Sequence, residues 1–270
     1  MPTLDSVSQD FLFTMLKGEP GTRKSTCALS YPTPQYWIST DQKMEALTLP
    51  AKRFGINMKD IQFDDYSDWD KPKYKLEQLQ VNCPFKTIII DSITSIGDNI
   101  NRQTIRQKRG TQTASGGEKG KLIGNIPVNS IEDYMAEASA FQEMIALLKD
   151  INKFHKVNVI LIAHVVGQRK NDDSNKLTHH SRVIVTGGDK ISSKISAYCT
   201  EVYHFNVDPG FDVDKGDGDY GIITVHTGND FARTSLPLER KILFNNDSLY
   251  DKWIKPAIDK LKTEQPLVKF

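Results

Sequence analysis

The chain has 270 residues, and its 35 lysines and arginines nearly balance its 34 aspartates and glutamates. That length suits one α/β domain with a sizeable core, and the near-neutral charge means that any anionic partner must be met by local basic patches. The three cysteines lie far apart, which excludes a disulfide framework, and no apolar run is long enough to cross a bilayer, so we expect a cytoplasmic protein.

The first predicted element is a strand that runs into a glycine turn and then a helix. Residues 11–16 are apolar, residues 18–22 read GEPGT, and Lys24 opens a helical segment. Glycines let backbone N–H groups close around a β-phosphate, and a helix N-terminus adds partial positive charge. We expect Lys24 to reach the β- and γ-phosphates of a nucleotide and the Ser25 hydroxyl to bind Mg²⁺. A chance glycine turn before a helix is the alternative.

The predicted nucleotide-binding residues are Gly18, Glu19, Pro20, Gly21, Thr22, Arg23, Lys24, Ser25 and Thr26. One of them departs from the G-x-x-x-x-G-K-[ST] pattern, because the position of the second glycine is occupied by Arg23. We expect this departure to affect nucleotide hydrolysis more than nucleotide binding.

Two predicted strands each end in an aspartate. Residues 36–40 are aromatic and β-branched and precede Asp41, whereas residues 86–90 form a buried parallel strand that precedes Asp91. Ligands bind beyond the carboxyl ends of parallel strands. Asp41 is therefore a candidate to orient an attacking water, with a helix N-cap as the alternative role. Asp91 is expected to hold Mg²⁺, as the second motif of phosphate-loop enzymes does.

Two more candidate catalytic residues lie later in the chain. His164 ends the apolar run 158–163 and is placed to contact the γ-phosphate or the attacking water, although a structural histidine is the alternative. Arg233 lies in a predicted loop and in an assembly is a candidate arginine finger for a neighbouring subunit, with an exposed salt-bridging arginine as the alternative.

Basic residues concentrate after the Asp91 strand. Residues 93–109 form a predicted helix whose exposed side turns basic, and residues 110–121 form a glycine-rich loop. A second polar loop is predicted over residues 167–182. Such segments suit a sugar-phosphate backbone, and a solvated surface is the alternative. The candidate DNA-binding residues are Arg102, Arg106, Lys108, Arg109, Lys119, Lys121, Arg169 and Lys170.

The remaining predicted elements follow from periodicity and turn residues. They are a helix over 131–154, a helix over 191–198, a hairpin of strands 201–207 and 222–226, and a terminal helix over 249–261 that Pro256 interrupts.

The order GEPGTRKST, Asp41, IIIDS and ILIAH resembles the RecA-like branch of the phosphate-loop ATPases. Within it, the chain is most similar to small phage-encoded AAA-type ATPases of the single-strand annealing and recombination group. The resemblance covers about residues 11–245. It implies the α/β fold of a RecA-like P-loop NTPase, with a mostly parallel central sheet flanked by helices, and we expect a C-terminal β-hairpin extension. It also implies ATP and Mg²⁺ at the strand ends, and head-to-tail rings or filaments.

Members of this branch bind single-stranded DNA through the loops that match residues 102–121 and 165–190 here. We therefore predict one RecA-like ATPase domain over residues 1–270, with a core over about 11–245 and a C-terminal helix or tail over about 249–270. The predicted function is ATP-dependent DNA recombination by single-strand binding and annealing or strand pairing. The predicted partners are single-stranded DNA, further copies of the chain and a single-strand-binding protein.

Three alternatives stay open at this point. A replicative helicase or helicase loader uses the same core, although the chain lacks an obvious extra domain for such contacts. A nucleotide-regulated scaffold binds ATP with little hydrolysis. The departure at Arg23 allows this, and so does Asp41, which replaces the glutamate that is more usual in the branch that the chain resembles. Phosphate transfer to a small molecule is not excluded by the motifs.

Overall fold

The computed structural model describes residues 11–110, 122–123, 126–127, 131–171, 177–185, 189–208, 219–228 and 230–264. In chain order the elements are β1 (Phe13–Gly18), α1 (Lys24–Leu29), β2 (Gln35–Ser39), α2 (Thr48–Arg53), β3 (Ile61–Asp65), α3 (Asp70–Val81), β4 (Thr87–Asp91), α4 (Ile93–Gly110), β5 (Leu122–Ile123), β6 (Ile126–Pro127), α5 (Ile131–His155), β7 (Asn158–Asn171), β8 (Leu177–Ile184), α6 (Asp189–Tyr198), β9 (Glu201–Asp208), β10 (Asp219–Ile223), β11 (Lys241–Leu243) and α7 (Lys255–Glu264). Short 3₁₀ turns cover Met44–Leu47 and Met58–Asp60, and a π-helical turn covers Tyr250–Ile254.

The main sheet has the strand order β3-β2-β4-β7-β1-β9-β10-β11. The strands from β3 to β9 run parallel, and β10 and β11 continue the sheet in antiparallel fashion. This arrangement confirms the predicted mostly parallel sheet, and the antiparallel strands form the predicted C-terminal extension. Because β1 and β4 both pair with β7, the strand that carries His164 lies between the phosphate-loop strand and the strand that ends in Asp91.

Both faces of the sheet are covered by helices. In β4, Ile88 and Ile90 pack towards α3, α4 and α5, whereas Ile89 packs towards α1, α2 and α7. All three isoleucines have 0% exposure. Successive side chains of a strand point to opposite faces, so a continuous β-branched run is the pattern of a strand buried on both sides. Among the described residues, no helix is apolar enough over a sufficient length to span a membrane.

Helix α4 is held against α5 by a close approach at Gly97. A Cβ added at Gly97 would lie 2.6 Å from Glu137 Oε1 and 3.5 Å from Phe141 Cε2. One turn later, Asn101 Nδ2 donates to Glu137 Oε2 at 3.0 Å. A small residue at this crossing and one buried hydrogen bond fix the axis of α4, which begins directly after Asp91.

Two details of the predicted elements are wrong. Residues 167–171 and 177–182 of the predicted loop are strand instead, because β7 continues to Asn171 and pairs antiparallel with β8, with Val166 opposite Val183 and Arg169 opposite His180. Residues 172–176 lie outside the described residues. Pro256 does not interrupt the terminal helix, because it lies in the first turn of α7 after the π-helical turn. A proline N–H is not needed in the first turn of a helix, so Pro256 begins α7.

Candidate nucleotide-binding site

The turn between β1 and α1 is shaped by one close approach and by two left-handed residues. A Cβ added at Gly18 would lie 2.6 Å from the backbone oxygen of Phe205, so β9 leaves room for glycine alone. Gly21 has φ +81°, and Arg23 has φ 65° and ψ 25°. The second-glycine position of the motif is therefore left-handed here although it carries a side chain, which is the conformation that favours glycine.

The side chain of Arg23 is anchored away from the turn. Its Nη1 donates to the backbone oxygen of Asn245 at 2.8 Å and to Asn246 Oδ1 at 2.9 Å. Its guanidinium lies 3.7 Å from the centroid of the Tyr220 ring. These contacts join the phosphate loop to β10 and to the segment after β11. Arg23 thus lacks the conformational freedom of a glycine, and its side chain instead attaches the loop to the C-terminal extension of the sheet.

Lys24 places a positive charge inside the loop. Its Nζ donates to the backbone oxygens of Gly18 and Glu19 at 2.8 and 2.7 Å, and the side chain is buried. Burial lowers the pKa of Lys24 to about 8, although the nearby carboxylates of Asp91 and Asp41 act against that shift. A buried ammonium bonded to carbonyl oxygens gains strongly from an anionic ligand placed beside it.

Ser25 and Asp91 come together at the base of the loop, as the sequence predicts. Ser25 Oγ donates to Asp91 Oδ2 at 2.7 Å. Burial raises the pKa of Asp91, and the hydrogen bond from Ser25 opposes that shift. A hydroxyl and a carboxylate are hard oxygen ligands of the kind that Mg²⁺ takes alongside phosphate oxygens and water. The pair therefore fits the predicted metal site.

Asp41 is fixed by the carboxyl ends of two neighbouring strands. The N–H of Thr40 donates to the backbone oxygen of Asp91 at 2.7 Å, and the N–H of Ser92 donates to Thr40 Oγ1 at 3.0 Å. Asp41 Oδ1 accepts hydrogen bonds from Ser92 Oγ and Ser95 Oγ. The N-cap alternative for Asp41 is wrong, since the following 3₁₀ turn has Lys43 at its N-cap.

His164 completes a pair with Asp41. Its Nε2 lies 3.4 Å from Asp41 Oδ2, and its backbone N–H donates to Thr94 Oγ1 at 3.1 Å. Burial by itself would raise the pKa of Asp41, but the hydrogen bonds from His164, Ser95 and Ser92 lower it to about 2. Within the described part of the chain, His164 Nδ1 is buried without a hydrogen-bond partner.

The predicted DNA-binding residues are spread over two elements. Arg102 and Arg106 are exposed on α4, which continues through Lys108 and Arg109. Arg169 and Lys170 lie on β7 opposite β8. Lys119 and Lys121 lie outside the described residues. Their contact with DNA stays a prediction.

The structure places Arg233 apart from the phosphate loop. Its guanidinium Nη2 donates to the backbone oxygens of Ala197 and Cys199 at the end of α6, and its backbone pairs with Val202. Arg233 thereby ties the segment after β10 to α6. Its role as an arginine finger for another subunit is untested and stays a prediction.

Sequence reasoning missed the hydroxyl groups that hold the two aspartates. Thr40, Ser92, Thr94 and Ser95 each make a hydrogen bond at the strand ends. The run DSITS directly after β4 carries three of them. A cluster of serines and threonines at the carboxyl end of a buried strand was the available signal.

Fold and site together define a RecA-like P-loop ATPase, and comparisons with known proteins agree. A family model described as an AAA domain matches residues 12–236. A solved structure, the RadB recombinase, superposes with a TM-score of 0.50 at 15% identity and covers 88% of this chain and 89% of its own. At that identity the likeness shows the fold alone. No curated protein sequence matches the chain.

Since the family model covers most of the chain, the protein belongs to the AAA-domain family. The RecA-like resemblance read from the motifs is confirmed. The grouping with phage-encoded annealing proteins remains a prediction.

Proposed function

We propose that this protein binds Mg-ATP between the phosphate loop and the ends of β4 and β2, and hydrolyses the γ-phosphate. The observation that carries the proposal is the meeting of Lys24, the Ser25–Asp91 pair and the Asp41–His164 pair at one edge of the sheet. These three features come from four strands of the chain and supply the parts that phosphoryl transfer requires: phosphate charge neutralisation, a metal site and a water-positioning group.

Each side chain has a distinct role in the proposed reaction. The Lys24 ammonium and the backbone N–H groups of residues 21–25 hold the β- and γ-phosphates. Ser25 and Asp91 would hold Mg²⁺, which supplies positive charge for the phosphate oxygens when it is bound. The Asp41–His164 pair orients a water for attack on the γ-phosphate by accepting a hydrogen bond from it.

The pKa of Asp41 supports its assignment as the water-positioning group. With a pKa of about 2, Asp41 is ionised at every physiological pH. An ionised carboxylate can only accept hydrogen bonds, so it orients a water by accepting a hydrogen bond from one of the water O–H groups. His164 adds the unpartnered Nδ1 on the same pair. In this proposal Asp41 takes the position that a glutamate holds in many relatives.

The proposed use of ATP is DNA recombination, with hydrolysis resetting an assembly that binds single strands. The exposed Arg102 and Arg106 on α4 support this use, because α4 begins at the metal strand and its basic residues attract a sugar-phosphate backbone without reading sequence. We further propose a cytoplasmic, phage-type annealing or strand-pairing protein that assembles into rings or filaments and works with a single-strand-binding protein. In such an assembly, Arg233 is the candidate arginine finger for the nucleotide of a neighbouring subunit.

Lys24→Ala tests the nucleotide site. We expect the variant to lose ATP binding in calorimetry and ATP turnover in a phosphate-release assay, because the loop loses the charge that its carbonyl groups hold in place. Lys59→Ala is the matched control, since Lys59 is exposed on a 3₁₀ turn. Unchanged turnover in Lys24→Ala would remove the proposed function.

Turnover measured with single-stranded and with duplex DNA then separates the uses of ATP. Stimulation by single strands alone supports recombination. Duplex unwinding identifies a helicase, and tight ATP binding without turnover under either condition identifies a nucleotide-regulated scaffold.

A further inference from the structure

A polar pocket of about 360 Å³ opens beside the Asp41–His164 pair. Both members of the pair line it, together with α4 and the loops that follow β2 and β3. Lys24, Ser25 and Asp91 are not part of its lining. A ligand in this pocket would therefore touch the proposed water-positioning pair without entering the phosphate loop.

Two basic residues at the mouth of the pocket favour a phosphodiester group. Along α4, Ser95, Asp98 and Arg102 line it from a single helix face, and Lys43 lines it from the loop after β2. Lys43 and Arg102 are exposed, so they can turn towards an anion at the mouth. Among the described lining residues the aromatic side chain is Tyr66, at 8% exposure. It offers little ring surface for a base to stack on, which favours sugar and phosphate as the occupant.

The pocket is continuous with the basic side of α4. Arg106 follows Arg102 by one turn and is also exposed, and one turn of helix advances about 5.4 Å. A strand that follows α4 from Arg106 towards its N-terminus arrives at the pocket mouth. A free phosphate monoester shares the chemistry but gains nothing from Arg106.

We propose that this pocket seats one phosphodiester of a bound single strand between Lys43 and Arg102, directly against the Asp41–His164 pair. The proposal rests on the proposed function and adds to it the place where strand binding reaches the hydrolytic residues. A seated phosphate displaces bulk water from one side of the pair, and its charge repels the Asp41 carboxylate towards the phosphate loop. Strand binding then acts on the same side chains that hold the attacking water.

The test is fluorescence anisotropy of a labelled oligothymidylate at a series of salt concentrations, without nucleotide. The variant is Lys43→Gln with Arg102→Gln, and the matched control is Lys59→Gln with Arg240→Gln, which removes the same two charges at exposed positions elsewhere. Loss of the one seated phosphate should reduce the slope of log affinity against log salt by about 0.7. The control should keep the wild-type slope.

Two further measurements locate the phosphate. Asp98→Asn should tighten strand binding by about threefold, since a phosphate roughly 6 Å away in water is repelled by that carboxylate. Thymidine 5′-monophosphate at millimolar concentration should leave the strand bound, whereas displacement would assign the pocket to a small phosphate monoester and overturn the proposal.

The outcomes separate this proposal from the proposed function. If the wild type does not bind the strand at all, both the proposed recombination function and the pocket assignment are wrong. If the wild type binds and the double variant keeps its slope, or if Asp98→Asn has no effect, the pocket assignment alone is overturned. Circular dichroism of each variant confirms that the exposed substitutions leave the fold intact.

Discussion

Replacing Arg23 separates the two contributions that this side chain makes to the phosphate loop. Arg23→Gly removes the left-handed strain and the side-chain contacts together, whereas Arg23→Ala removes the contacts and keeps φ near 65°. A non-glycine residue in the left-handed region costs about 1–2 kcal/mol. Glycine also increases the conformational entropy of the unfolded chain, which lowers the stability by about 0.4–1 kcal/mol and offsets part of the relieved strain. We therefore expect the glycine variant to be more stable than the alanine variant by about 1 kcal/mol.

The side-chain contacts of Arg23 determine how stable both variants are relative to the wild type. The guanidinium lies 3.7 Å from the Tyr220 ring centroid and donates to Asn245 and Asn246. An exposed cation–π contact contributes about 0.5–1 kcal/mol, and a typical hydrogen bond contributes about 1 kcal/mol or less when it is exposed. Arg23→Ala should thus lose about 1–2 kcal/mol of unfolding free energy, and Arg23→Gly should lie within about 1 kcal/mol of the wild type.

Urea unfolding at 25 °C measures both differences, provided that the m-value stays constant among the variants. The Tyr220→Leu background is the control, because there Arg23→Ala should cost less once the aromatic face is gone. Equal stability of the alanine and glycine variants would refute the reasoning, since it would mean that the left-handed backbone carries no strain in this loop.

Three other substitutions test separate parts of the site. Asp41→Asn should lower ATP turnover by about 100-fold or more while the nucleotide Kd stays within threefold, because a neutral amide holds the attacking water more weakly than a carboxylate does. Gly18→Ala should destabilise the protein by about 2 kcal/mol in urea, since the new Cβ would meet the Phe205 carbonyl 2.6 Å away. Burial lowers the pKa of Lys17 to about 8 from 10.5, so the folded chain binds fewer protons than the unfolded chain between those values and stability should rise with pH there. Lys17→Met should flatten that rise by roughly 1 kcal/mol per pH unit, and an unchanged slope would contradict the burial of its charge.

The sequence predicts well those parts of the fold that depend on local composition. The run Thr87–Asp91 is apolar and β-branched without alternation, and such a pattern is compatible with a central parallel strand covered on both faces. Glycine, proline and the Lys-Ser pair place the phosphate loop to within a residue. These signals depend on neighbours in the chain, which is why they were sufficient.

Long-range contacts limit what the sequence predicts. The continuation of β7 beyond Val165 depends on pairing with β8, and the polar residues of that hairpin have a loop-like composition because the hairpin extends past the covered sheet. Likewise, the anchor of Arg23 lies 222 residues away at Asn245. Neighbouring residues in the sequence indicate neither the pairing of β7 with β8 nor the contact of Arg23 with Asn245. Composition alone therefore predicted a loop in the first case and left the departure at Arg23 unexplained in the second.

The charges of the site also explain why metal and nucleotide should bind together. Burial raises the pKa of Asp91 and lowers the pKa of Lys24, so each of these groups is charged at a cost within the folded chain. A cation beside Asp91 favours its ionised form, and phosphate oxygens beside Lys24 favour the ammonium. A ligand that carries both charges relieves both costs at once, whereas either ion alone relieves only one of them. Affinity for Mg-ATP should therefore exceed the affinity expected from Mg²⁺ and ATP measured separately.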